Sequence, residues 1–155
     1  QIRRIARDRR GFNDPQSSSN EADSAALFRE LLESSLEAPL VDEVERLIMI
    51  TDPRTDRPTD FAGQLMADLD LLTLGADRAG YDAYAQAIRQ EYAFVPAEAF
   101  AKGRAAVMER FLAQDRLYQT PLFAHLEQPA RSNIQAEIDT RDYGKGETEI
   151  VAGGC

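Results

Sequence analysis

Apolar residues recur every three or four positions along most of this 155-residue chain, and no window sustains alternation of period two. Spacing of three and four lines side chains up on one face of a helix, whereas a half-buried strand needs strict alternation. The stripes are explicit: Phe28, Leu31, Leu32 and Leu36 form the first, and Leu40, Val44, Leu47 and Ile48 the second. Tyr81, Tyr84, Ala85, Ile88 and Tyr92 make the clearest one, followed by Phe100, Val107, Met108, Phe111 and Leu112. No similarity repeats at a period of 20 to 50 residues, so a solenoid is excluded. The chain reads as all-α, with six or seven helices.

Turn-forming residues divide these stripes. Residues 11–20 combine glycine, proline and serines and read as a loop, and Ser18 with Glu21 has capping-box spacing for the helix that follows. Pro39 separates the first two helices, and the second must stop near Asp52–Pro53, because a residue before proline avoids the helical region. A short helix over 61–74 is expected to end on Gly75 as a cap. Asp77 then caps the next helix, Pro96 opens the one after it, and Pro121 begins a last stretch that bends or restarts at Pro129. The glycine-rich end, 143–155, carries little apolar content and reads as a disordered tail. One domain over 1–142 is the expected organisation, with 1–17 a basic arm and loop.

Composition narrows the function classes. Eighteen basic against 27 acidic residues give a formal charge of −9. Nucleic acid and anionic membrane surfaces call for a basic face, so neither is the expected partner. No apolar run approaches the ~20 residues of a membrane span. The single cysteine, Cys155, excludes an internal disulfide framework and fits a reducing cytoplasm. Five arginines among the first ten residues (Arg3, Arg4, Arg7, Arg9, Arg10) lack the apolar segment that would make them a secretory signal.

Phosphate-loop, dinucleotide and zinc-protease motifs are absent. His125 is the only histidine, and alone on a late helix it reads as a surface residue. The remaining chemistry is acidic and basic. Asp68 and Asp70 lie two residues apart, about 200° around a helix, so they do not converge on one ion. Asp14 and Glu21 flank the serine-rich loop, with Glu21 also explained as a capping acid. Arg89 and Arg116 are candidate phosphate holders because a guanidinium grips an oxyanion with two donors. Tyr84, one of several hydroxyl-bearing aromatics at helical spacing, joins them as a candidate substrate-binding residue.

Three blocks carry a resemblance to a known family: SNEADSAALFRELL (19–32), DLDLLTLGADRAGYDAYAQAIRQEYAFVP (68–96) and GRAAVMERFLAQDRLYQTPLF (103–123). Over roughly 20–140 the chain resembles bacterial predicted metal-dependent phosphohydrolases of the HD superfamily. That resemblance implies a compact, HD-domain-like helical bundle and hydrolysis of a phosphoester by metal-activated water. It implies a divalent cofactor (manganese, iron, zinc or magnesium) and a small phosphorylated substrate. Position by position, the later metal-ligating aspartate of the family matches Asp68, and its Asp-Pro pair matches Asp14-Pro15. The His–Asp pair falls on Arg9 and Arg10, and the segment MITDPRTDRP lacks the further histidine of relatives. Two expectations follow: a diverged, inactive copy, or a metal site rebuilt from Asp68, Asp14 and Glu21. A reading from another class is a domain without catalysis and without cofactor, which binds an anion or pairs with a second copy through the apolar surface around Phe28 and Leu47.

Overall fold

The computed structural model describes residues 19–150, with side chains described over 19–140. The arginines of the first ten residues, Asp14, Ser18 and Cys155 lie outside those limits. The described chain is all-α: α1 (Asn20–Leu32), α2 (Ala38–Ile50), α3 (Phe61–Asp70), α4 (Arg78–Glu91), α5 (Ala97–Leu112) and α6 (Glu127–Ile150). Two 3-10 segments, Leu72–Gly75 and Pro121–Leu126, precede α4 and α6. No described helix is long and apolar enough to cross a membrane. The last helix runs past residue 143, where the sequence places the start of an unstructured tail.

Two compact units are present, and the boundary between Ala67 and Asp68 falls inside what the sequence reads as one domain. In the first unit α1 packs on α2, burying Ala25 and Val41. Ser19 flanks α1 without a side-chain cap, its hydroxyl donating instead to Asp23 at 3.0 Å. Pro39 occupies the first turn of α2, where its missing N–H has no partner to lose. Arg29 on α1 reaches Glu45 (2.6 Å) and Asp42 (2.7 Å) on α2. The pair is part-exposed and contributes little beyond fixing the helix register.

The second unit holds the main core: Leu74, Tyr81, Met108, Leu117, Tyr118, Ala130 and Ile134. Helix α6 packs on the Leu72–Gly75 segment and on α5. The first part of the unit therefore meets its last helix. Asp77 caps α4 as its position dictates, its carboxylate accepting the Gly80 N–H at 2.8 Å. Pro129 lies in the first turn of α6, where proline is tolerated.

Gly75 differs from its expected role. It ends a 3-10 segment instead of capping α3, and the reason for glycine is proximity. A Cβ there would lie 2.7 Å from the Leu126 Cβ and 2.9 Å from the Tyr118 hydroxyl. Gly75→Ala is therefore expected to cost about 1–3 kcal/mol by overpacking, read as a lower urea midpoint with an unchanged slope. The chain has no tryptophan, and all five tyrosines follow residue 68, so tyrosine fluorescence follows this unit alone.

Candidate ligand-binding site

Asp68 begins the second unit at the end of α3 and is fully buried. Its carboxylate accepts the backbone N–H of Gln119 at 2.7 Å and that of Thr120 at 2.8 Å. The Thr120 hydroxyl adds a third bond at 2.6 Å. Three donors thus face an anion out of water, the arrangement a buried carboxylate needs. The loop they hold leads into Pro121–Leu126, with Thr120 as its flanking residue. Asp70 points elsewhere and is exposed, as the helical angle requires.

The same loop is fixed from a second side. Glu127, at the start of α6, accepts the N–H groups of Leu117 (3.0 Å) and Tyr118 (3.2 Å) and pairs with Arg131 at 2.8 Å. Burial pushes the Glu127 pKa up, but these N–H donors and Arg131 outweigh it and hold the group below the usual range. A carboxylate whose folded pKa lies below its unfolded value of about 4.3 gives its full stabilisation above that pH. It loses it as pH falls through the folded pKa. The second unit should accordingly weaken below about pH 4, and Glu127→Gln should flatten that part of a thermal-stability profile. Burial also pushes the Tyr118 phenol up to about 12, so it stays a neutral donor to the Leu71 carbonyl at 2.8 Å.

Elsewhere in the second unit, Arg104 of α5 and Glu137 of α6 form a buried pair, each with 9% of its side chain accessible. Arg104 Nε and Nη2 donate to the two Glu137 oxygens at 3.1 and 3.3 Å. Nη1 donates to the Tyr84 hydroxyl at 3.4 Å, with the guanidinium 5.2 Å above the Tyr84 ring. The Tyr81 hydroxyl donates to Glu137 as well. Burial works against the Arg104 charge, yet the bonds to Glu137 and Tyr84 raise its pKa. Burial and the neighbouring Glu137 charge likewise raise that of Tyr81.

Arg104 also lines a groove of about 470 Å³ between α4 and α5. Its walls are Ile88, Tyr92, Phe100 and Val107, and Gly103 lies along it. This volume falls within the range of small-molecule sites, and the mixture of apolar wall and few polar groups is typical of them. A smaller depression of about 220 Å³ is bordered by Arg116, Tyr118, Thr120 and Glu127.

The residues singled out in the sequence are thus scattered. Arg89 closes its own helix, donating to the carbonyls of Tyr92 (2.7 Å) and Val95 (3.3 Å) and lying 4.8 Å over the Phe100 ring. Arg116 is exposed at the smaller depression, and His125 is exposed too. Tyr84 belongs to the buried cluster. Glu21 sits half-buried on α1 of the first unit. Asp14 falls outside the described residues. Among the described residues no three His, Cys, Asp or Glu side chains gather as a metal site would require. Sequence reasoning passed over Arg104 and Glu137, although both carry a signal. Each is a charge at an apolar-stripe position: Arg104 four after Phe100 and three before Val107, Glu137 three after Ile134.

Taken together, the described residues are all-α, with an apolar groove between α4 and α5 of the second unit. The chain matches no family model, no curated protein and no solved structure.

Proposed function

We propose that this chain is an HD-like helical domain of phosphohydrolase descent that binds a small anionic molecule, with Asp68 serving as a loop tether. The commitment of the Asp68 carboxylate carries this reading. Its two oxygens face the Gln119 and Thr120 N–H groups and the Thr120 hydroxyl, donors whose positive ends repel a cation. A divalent ion in the manner of the resembled family needs several converging carboxylates or imidazoles. The described residues around Asp68 do not supply them, so their donor set does not fit such an ion. Arg9 and Arg10 at the His–Asp positions of the family pattern point the same way, since cations there oppose a metal and favour an anion.

Elemental analysis of protein purified without chelator tests this. Substoichiometric manganese, iron and zinc, and background phosphoester hydrolysis with added manganese, are the expected results. Near one equivalent of metal in the parent, lost in a folded Asp68→Asn variant, would overturn the proposal.

A further inference from the structure

The groove between α4 and α5 has three properties that together define an occupant. First, its polar wall is a guanidinium held out of water. Arg104 offers five N–H donors, and three of them are used by Glu137 and Tyr84 at 3.1 to 3.4 Å. Two of the five N–H groups take part in none of these bonds, and Arg104 lines the groove.

Second, the charges near the groove favour an anion. Arg104 borders it, and Arg89 lies over Phe100, a wall residue, with carbonyls as its hydrogen-bond partners. Glu137 is the carboxylate paired with Arg104. Among the described residues that line the groove, Arg104 is the one charged side chain, on a chain of formal charge −9.

Third, Gly103 sits in the interior of α5, and an added Cβ would meet nothing within 4 Å. Glycine inside a helix weakens it relative to alanine. Packing among the described residues gives no reason for it, unlike at Gly75. Its effect is to leave the groove open at the backbone.

We infer that the groove binds a small monocarboxylate with a branched or aromatic apolar tail. The carboxylate meets Arg104, and the tail lies over Gly103 against Ile88, Phe100 and Val107. A phosphate ester fits poorly here: a dianion among apolar walls with one guanidinium edge is too costly to desolvate. The inference deepens the reading of the chain as an anion-binding domain and rests on it.

The test uses the full chain and two matched probes, 3-phenylpropionate and 3-phenylpropan-1-ol, by isothermal calorimetry and thermal shift. Binding of the acid at millimolar concentration, with the alcohol at least about tenfold weaker, is expected. Gly103→Leu places a side chain in the groove while favouring the helix, so it should melt at or above the parent temperature and lose the acid. Equal response to both probes, unchanged binding by Gly103→Leu, or no binding of the acid overturns the inference. Metal content of the same samples reports on the Asp68 reading alone, so the two fail separately.

Discussion

Asp68→Ala is expected to destabilise the second unit by about 3–5 kcal/mol, the sum of a small cavity and of buried donors left without an acceptor at about 1–3 kcal/mol each. The Gln119 and Thr120 N–H groups and the Thr120 hydroxyl all lose their partner at once. Domains of this size are stable by only about 5–15 kcal/mol, so the variant forfeits a large share of that. Asp68→Asn separates the tether from a generic polarity effect. Its single carbonyl oxygen can take the two Thr120 donors, but its amide then opposes the Gln119 N–H, and about half the loss should remain. Urea denaturation followed by tyrosine fluorescence reads both. A parent-like midpoint for Asp68→Ala, with added manganese raising the midpoint of the parent alone, would show that the carboxylate serves a metal and not the loop.

The second large effect concerns the buried pair. Glu137→Leu leaves the Arg104 guanidinium in a site where 9% of its side chain is accessible, and removes the acceptor of the Tyr81 hydroxyl. Breaking one side of such a pair costs about 3–5 kcal/mol. Replacing both partners, Arg104→Met with Glu137→Leu, should recover most of that loss, because the desolvation cost of the charges disappears with them. The double-mutant cycle thus predicts strong non-additivity. A double variant as unstable as the sum of the singles would mean that the pair contributes through shape and not through charge compensation.

The two residues at the centre of these experiments differ in how far the sequence exposed them. Helix positions follow from local rules: Pro39, Asp77, Pro121 and Pro129 mark starts that the structure keeps within a residue or two. The burial of Tyr81 and Met108 follows from stripe spacing. Asp68 stands out in the sequence, but its partners do not, because two of the three are backbone N–H groups about fifty positions away and every residue type but proline presents one. Arg89 illustrates the reverse case. A guanidinium suits phosphate, yet it suits helix-end carbonyls equally well, and only the fold shows which it meets. Gly75 and Gly103 look alike in sequence. One is demanded by Leu126 and Tyr118, and the other by nothing within 4 Å among the described residues.

The bonds between Asp68 and the 119–120 loop have a kinetic consequence. They span 51 and 52 positions, and joining ends that far apart costs about 3.5 kcal/mol of chain entropy beyond a constant. Helices α4 and α5 lie within that span and are made of local contacts that carry no such cost. Closure of the ring, with α6 settling on Leu72–Gly75, is therefore expected to be the slow event in folding. Substitutions at Asp68 should separate the two stages, retarding refolding if the clasp is already shut at the barrier and hastening unfolding if it shuts afterwards.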